Sequence, residues 1–128
     1  VTFARARPQI LTLKNGGGGW WHPIHWHIEF MRVLERNGLP PGPLERDGMA
    51  KRDTVLLGPG DEVKVFIQFR DFTGLTVFHC HNTEHEDMAM MARFDIVELG
   101  NGSSVPVGVR RAVRRLADAL RRQLQQAY

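Results

Sequence analysis

Apolar and polar residues alternate along much of the first 98 positions, which is the pattern of strands with one buried face. Turn-forming residues at 58–60 and 72–74 separate some of the alternating runs. Many short strands separated by turns favour an all-β sandwich or barrel. The predicted strands are Gln9–Lys14, His22–Glu35, Val55–Leu57, Glu62–Phe69, Leu75–His81 and Ala92–Val97. Because they number only about six, we expect a first strand or two to be missing or to come from a partner.

The last part of the chain has a different character. We predict one domain over residues 1–98, a linker over 99–108 and a basic amphipathic α-helix over 109–126. Residues 101–128 carry six basic residues and one acidic residue, net +5, whereas residues 1–100 carry a net charge of −2. The helix could pack on its own domain, dock on a partner subunit, or contact a membrane surface or nucleic acid. Its apolar residues at helical spacing are Val109, Val113, Leu116, Leu120 and Leu124.

Every histidine and the one cysteine of the chain lie in two short windows. The first window reads His22-Pro23-Ile24-His25-Trp26-His27, and the second reads His79-Cys80-His81, followed by His85 and Met90. Imidazole, thiolate and thioether are the ligands that copper prefers in proteins. The clustering therefore predicts that the chain binds copper.

The spacing within the windows sorts these ligands into two sites. Successive side chains of a strand point to opposite faces, so His79 and His81 share one face while Cys80 points to the other. His25 and His27 likewise share a face. Residues two apart on a strand are about 6.6 Å apart, which is too far for one ion but suits two or three ions side by side. One predicted site takes Cys80 and His22, with His85 and Met90 from the following loop, and the other takes His25, His27, His79 and His81.

The site that contains Cys80 has the composition of blue copper, in which two histidines and a thiolate form a trigonal plane with a long axial methionine. A bound cation would deprotonate the thiol. Structural zinc is less compatible, because zinc favours several thiolates or paired Cys and His spacings, and the chain has one cysteine. A merely structural Cys80 would leave the histidines on either side of it unexplained.

These motifs resemble the last cupredoxin domain of multicopper oxidases, in the branch of bacterial laccases and bilirubin-oxidase-like enzymes. The resemblance runs from about Gln9 to Glu98 and implies a cupredoxin-like Greek-key fold. It further implies that Cys80 accepts an electron and passes it through His79 and His81, and that the Glu86 carboxylate helps to deliver protons. The copper ligands that it implies are His22, Cys80, His85 and Met90 for type-1 copper, His25 for type-2 copper, and His27, His79 and His81 for the type-3 pair.

The resemblance also implies an oxygen site that this sequence does not complete. The trinuclear cluster of such enzymes takes eight histidines, four of them from a first domain, and this chain offers only its own four. We expect a second chain or domain to supply the others, in a hetero-oligomer or a longer polypeptide, and no reduction of dioxygen by the chain alone. The expected reactants are dioxygen and a small reducing substrate, such as a phenol, an aromatic amine, a bilirubin-like pigment or a metal ion.

Other functions stay open at this point. The chain could be an electron-transfer module that holds only type-1 copper, or a copper-storage or structural subunit without turnover. A nitrite-reductase-like function is weaker, because there the His pattern does not continue after the Cys. Family habit favours a periplasmic or secreted location, and the sequence shows neither a membrane span nor a specific nucleic-acid motif.

Several residues near the motifs are interpreted as structural. We expect the three tryptophans to be core or interface residues rather than redox relays, and two methionines beside Met90 to be packing residues. The Pro- and Gly-rich segment 37–51 is interpreted as a connecting loop rather than a substrate lid. The residues concerned are Trp20, Trp21 and Trp26, the methionines Met88 and Met91, and the turn Arg52-Asp53-Thr54.

Overall fold

The computed structural model describes residues 1–17 and 19–99, which contain eight strands and two short helical segments. The strands are β1 (Thr2–Ala4), β2 (Gln9–Lys14), β3 (His22–Trp26), β4 (Met31–Arg36), β5 (Thr54–Leu57), β6 (Glu62–Ile67), β7 (Gly74–Cys80) and β8 (Met91–Val97). A 3-10 segment spans Pro43–Gly48, and helix α1 spans Thr83–Asp87. The predicted helix 109–126, and all of the predicted linker except Leu99, lie outside the described residues.

The strands form two sheets that enclose a shared core. One sheet has five strands in the order β1-β8-β7-β3-β5, and the other has three in the order β2-β6-β4. Alternation along β6 explains the packing, because Val63, Val65 and Ile67 are fully buried while the residues between them are partly exposed. The prediction of an all-β sandwich is confirmed.

Aromatic side chains fill much of the space between the sheets. Trp26 is 4% exposed and stacks on Phe78 with ring centroids 4.4 Å apart. Phe3, Phe69 and Phe94 complete this cluster, with centroid separations between 5.0 and 6.4 Å. Offset and edge-to-face packing of this kind contributes about 0.5–1.5 kcal/mol per pair beyond area burial. The cluster fixes the end of β3 that lies beside the histidines.

Four bulky residues that were expected to be core, interface or packing residues are exposed in the described chain. Trp20 and Trp21 are 58% and 56% exposed, because they lie in the segment before β3, outside the sheets. Met88 follows α1 and is 74% exposed, and Met91 begins β8 on the outer face of its sheet. The core-or-interface prediction is confirmed for Trp26, which is a core residue. Trp20 and Trp21 are not core residues of the described chain, and an interface role for them stays a prediction. Met88 and Met91 do not pack in the described core.

The predicted long strand His22–Glu35 is two strands that belong to different sheets. Strand β3 ends at Trp26 and pairs with β5 and β7, whereas β4 begins at Met31 and pairs with β6. Between them Ile28 adopts a left-handed backbone with φ 79°, which a β-branched residue rarely does. Glu29 is buried there and accepts two bonds from Arg70, at 2.7 and 2.9 Å. The alternation of apolar and polar residues continues through the segment where the chain passes from one sheet to the other, so the sequence pattern did not indicate that crossing.

Two short elements add to the predicted set. Strand β1 has three residues and runs parallel to β8, pairing Thr2 with Asp95. Helix α1 has five residues and follows β7 directly. Within residues 1–17 and 19–99, no helix is long and apolar enough to cross a membrane.

Candidate metal centres

The pairing of β3 with β7 places two groups of metal ligands on opposite faces of the five-stranded sheet. Cys80 lies opposite Ile24, and His79 lies opposite His25. Residues paired across an antiparallel ladder point to the same face. Cys80 therefore points with Ile24 toward the core and is 0% exposed, whereas His25 and His79 point away from it. Adjacent residues of one strand become members of two separate groups.

The inner group consists of Cys80 and two imidazoles. The Sγ atom of Cys80 lies 3.6 Å from Nδ1 of His22 and 3.6 Å from Nδ1 of His85. His22 begins β3, and His85 returns to the thiol because α1 turns the chain back directly after β7. The Asn82 side chain caps this helix by accepting a hydrogen bond of 3.1 Å from the Glu84 N–H. Two nitrogens and one sulfur are thus brought within reach of one ion.

Met90 adjoins the inner group through its backbone. The Cys80 N–H donates to the Met90 carbonyl at 3.0 Å, and the Met90 N–H donates to the His85 carbonyl at 2.9 Å. Ala89, just before it, has a left-handed φ of 68°. The Met90 side chain is 43% exposed and lines a hollow of about 260 Å³ together with Cys80. The structure therefore holds Met90 beside two of the predicted ligands.

The outer group consists of imidazoles alone. Nε2 of His27 lies 3.2 Å from Nε2 of His79, and ligand atoms of His25, His27 and His79 all lie within 4.8 Å of one another. The ring of His81 lies beside those of His25 and His79, with centroids 5.4 and 5.3 Å away. The sequence predicted that imidazoles two residues apart on one strand are too far apart to share an ion. In the structure, however, the rings of His27 and His79, from different segments, turn toward each other. Three of these nitrogens are close enough to share an ion.

Two of the imidazoles, those of His22 and His27, have a lowered pKa, which favours the neutral form that a metal ligand requires. Burial, followed by repulsion from His85, lowers the pKa of His22. Burial is also the main cause that lowers the pKa of His27, and the neighbouring imidazoles add to it. Protonation of either ring is therefore less favourable than in an exposed histidine.

The Glu86 carboxylate lies beside the outer group. Its Oε2 atom is 3.4 Å from Nδ1 of His79, and that same Nδ1 is 3.2 Å from the Cys80 carbonyl. The Glu86 side chain is 36% exposed, so it joins the outer group to solvent. A carboxylate at this position can hold a proton next to the imidazole face.

Three contacts to the ligands were not predicted from the sequence. The Trp20 ring meets the His85 ring edge-on, with centroids 5.5 Å apart. Nδ1 of His25 lies 3.1 Å from the Asp53 carbonyl and 3.2 Å from Oγ1 of Thr54. The contact with Thr54 follows from the pairing of β3 with β5, which sets Thr54 opposite His25. The register between strands that are distant in sequence is hard to predict from one sequence.

The two donor sets fit copper. A buried sulfur with two imidazoles is the set that blue copper takes, and a face of imidazoles alone suits further copper ions. Structural zinc takes four His or Cys ligands, whereas the inner group offers three: His22, Cys80 and His85. The fit rests on the chemistry of these side chains and on their mutual distances.

Comparison with known proteins agrees with this chemistry. The sequence model of the multicopper oxidase family matches residues 1–99. The chain is 38% identical over 86 residues to a laccase of Haloferax volcanii, covering 67% of this chain and 15% of that protein. It is 41% identical over 91 residues to a bilirubin oxidase of Albifimbria verrucaria, covering 68% of this chain and 15% of that protein.

The fold is also that of known multicopper oxidases. The crystal structure of a multi-copper oxidase from Pediococcus acidilactici matches with a TM-score of 0.69 at 28% identity, covering 81% of this chain and 22% of that one. The chain thus spans less than a quarter of each of these proteins. The predicted cupredoxin-like fold is confirmed, and copper is the metal that the family implies. The chain belongs to the multicopper oxidase family of copper-containing oxidoreductases.

Proposed function

We propose that this chain is the C-terminal copper-binding domain or subunit of a multicopper oxidase, coupling one-electron oxidation of a substrate to reduction of dioxygen to water. The observation that carries the proposal is the opposed pair of ligand groups on β3 and β7, joined through adjacent residues of one strand. Within this proposal Cys80, His22, His85 and Met90 hold type-1 copper, His25 holds type-2 copper, and His27, His79 and His81 hold the type-3 pair.

Bound copper would supply the one-electron chemistry at the inner group and the reduction of dioxygen at the outer group. The chain's own contribution to electron passage is a short connection between the two. Cys80 is covalently adjacent to His79, and the Cys80 carbonyl also lies 3.2 Å from Nδ1 of His79. Peptide bonds and one hydrogen bond therefore link the groups without an intervening solvent gap.

The electron donor is proposed to approach at Trp20 and His85. Trp20 is 58% exposed and contacts the His85 ring at its edge. An aromatic surface over a ligand imidazole suits a flat donor, such as a phenol, an aromatic amine or a bilirubin-like pigment. A metal ion is the other candidate donor.

Reduction of dioxygen to water consumes protons, and we assign their supply to Glu86. Its carboxylate lies 3.4 Å from His79 Nδ1 and is partly exposed to solvent. A proton can pass from water to the carboxylate and onward at the imidazole face. Glu86 is therefore the proposed proton donor of the outer group.

The outer face requires a partner under this proposal. Leu56, Leu75 and Met91 share that face with the histidines and are 48%, 71% and 46% exposed. Exposed apolar side chains around a polar centre are typical of an interaction surface. The proposed occupant is a second chain or domain that brings four histidines to complete the cluster. A periplasmic or secreted location is proposed from the family resemblance alone.

The test is to prepare the chain together with the polypeptide that carries two His-x-His motifs, and to measure copper content, visible absorption and oxygen uptake. We expect blue colour, a filled trinuclear cluster and oxygen uptake with a phenolic donor. Blue colour with a single copper and no uptake would instead indicate an electron-transfer module, and colourless binding would indicate storage.

Matched variants sharpen this test. His27→Ala should keep the blue absorption and abolish oxygen uptake, because only the outer group loses a ligand. His22→Ala should remove the blue absorption. The electron-transfer alternative has one observation in its favour, since the sulfur group is assembled within this chain. Unchanged oxygen uptake in His27→Ala would contradict the oxidase proposal.

A further inference from the structure

The turn before β5 contacts Nδ1 of the His25 ring. Nδ1 of His25 lies 3.1 Å from the Asp53 carbonyl oxygen and 3.2 Å from Oγ1 of Thr54. The β3–β5 register pairs His25 with Thr54 directly. Asp53 and Thr54 belong to neither ligand group, and the proposed chemistry gives them no role.

The identity of these neighbours fixes where the ring carries its hydrogen. A carbonyl oxygen can only accept a hydrogen bond, so an Nδ1 atom at 3.1 Å from it must be the protonated nitrogen. Thr54 Oγ1 can accept a share of the same N–H. A neutral ring protonated on Nδ1 presents a free lone pair on Nε2, which is the form that a metal ligand needs.

The two acceptors are themselves held in place. The Asp53 carbonyl also accepts from the Trp26 N–H at 2.9 Å. Arg52 and Met31 exchange backbone hydrogen bonds of 2.6 and 2.9 Å, which tie the turn to the start of β4. Thr54 is β-branched, so its χ1 is restricted in a strand. The turn therefore offers His25 a preformed pair of acceptors.

We infer that Asp53 and Thr54 are positioning residues that set the tautomer and orientation of His25 before any metal or partner binds. The arrangement itself rests only on the distances above, whereas its use in catalysis rests on the proposed function. The turn Arg52-Asp53-Thr54, which was interpreted from the sequence as structural, thereby also positions His25.

The experiment uses the metal-free chain with ¹⁵N-labelled histidine, studied by NMR at about pH 8.5, above the ordinary titration range of imidazole. We expect His25 to be protonated on Nδ1 and bare on Nε2. The Thr54→Val variant, which keeps the size and the β-branch, should speed exchange of the Nδ1 hydrogen with water about fivefold, since one acceptor is lost. Thr54→Ser should restore the slow exchange.

Thr12→Val is the matched control, because Thr12 lies exposed in β2 of the other sheet and should leave His25 unchanged. A His25 ring protonated on Nε2 in the unaltered chain would overturn the inference, as would identical exchange in Thr54→Val and the unaltered chain. Because no metal is present, these outcomes leave the oxidase proposal to its own test of copper content and oxygen uptake.

Discussion

The two faces of β7 differ in what each needs from outside the chain. On the inner face Cys80 is fully buried, and its neighbours His22 and His85 come from elements of the same chain. On the outer face His79 and His81 lie with other imidazoles, next to exposed apolar residues of the same face. The inner group is assembled by folding, whereas the outer group awaits a partner in the proposed function.

Strand geometry explains how a single strand contributes to two groups of metal ligands. Alternation directs neighbouring residues to opposite faces of the sheet, so Cys80 is enclosed in the core whereas His79, although only 6% exposed, lies with the exposed His81 on the other face. The peptide bond between Cys80 and His79 then joins the environments over the shortest covalent path. The contrast can be tested by changing one face at a time.

The largest expected effect is the complete loss of blue colour in Cys80→Ser. A hydroxyl cannot replace the thiolate that gives blue copper its absorption, so the copper-loaded variant should be colourless. The measurement is visible absorption with copper content determined on the same sample. His81→Ala is the matched variant on the outer face and should retain the colour. A blue Cys80→Ser variant would show that the sulfur group is not the coloured site.

The inner face should also dominate folding stability. Phe94 is 1% exposed in the aromatic cluster, whereas Leu75 on the outer face is 71% exposed. Phe94→Ala should lower the free energy of unfolding by about 3–5 kcal/mol, and Leu75→Ala should change it by less than about 0.5 kcal/mol. Urea denaturation of the metal-free chain measures both. Equal effects would mean that the outer face is packed within this chain.

A smaller loss is expected where Trp21 packs on Gly58 at the end of β5. A Cβ atom added to Gly58 would lie 2.9 Å from the Trp21 ring. Because these atoms are the tip of an exposed side chain that can shift, we expect a cost of about 1 kcal/mol, at the low end for overpacking. Gly58→Ala should therefore lower the unfolding free energy, and adding Trp21→Ala should recover part of the loss. Gly42→Ala, which meets open space, is the control. If both glycine variants unfold alike, the close contact does not exist in solution.

The smallest effect concerns pH and the turn after β5, away from both ligand groups. Hydrogen bonds from Asn37 and the Gly58 N–H, with the nearby Arg36 charge, outweigh burial and lower the pKa of Asp61. A lowered carboxyl pKa contributes stability above its ordinary value, about 3.9, and this is lost as pH falls through the lower folded value. The stability difference between the unaltered chain and Asp61→Asn should therefore be constant near neutrality and shrink below about pH 4.

Denaturant unfolding at several pH values measures this difference. Asp71→Asn removes an exposed carboxylate from the connection between β6 and β7 and serves as the charge-matched control. The blue absorption of the copper-loaded Asp61→Asn variant should be unchanged at neutral pH. A difference between Asp61→Asn and the unaltered chain that stays constant in acid would contradict the assigned role.

The sequence predicted the fold class and the two-sided arrangement of ligands because both follow from strand periodicity. Because adjacent residues of a strand point to opposite faces, the sequence predicted that Cys80 lies on the other face from His79 and His81. The structure places Cys80 and His79 on opposite faces of the sheet. The copper type held by each residue stays a prediction. The crossover at Ile28 was missed because alternation persists through it, and β1 was missed because three residues carry too little pattern.

The contacts around the ligands were beyond prediction for a different reason. Thr54 meets His25 across a ladder that joins positions 29 apart in sequence, and nothing local marks such a partner. The edge contact of Trp20 with His85 depends on the path of an irregular segment. Asn82, by contrast, was a readable cap before a run of helix-compatible residues, and α1 could have been anticipated from it.

The register of β7 ties the positions of both ligand groups to the number of residues in the strand. Removing one residue between Leu75 and Phe78 would turn the thiol outward and drive both neighbouring imidazoles into the space beside Phe94. Such a deletion would displace both groups of metal ligands together, whereas replacement of Cys80 or His79 alone would change one group. The length of this strand therefore matters to both ligand groups, in addition to the identity of Cys80 and His79.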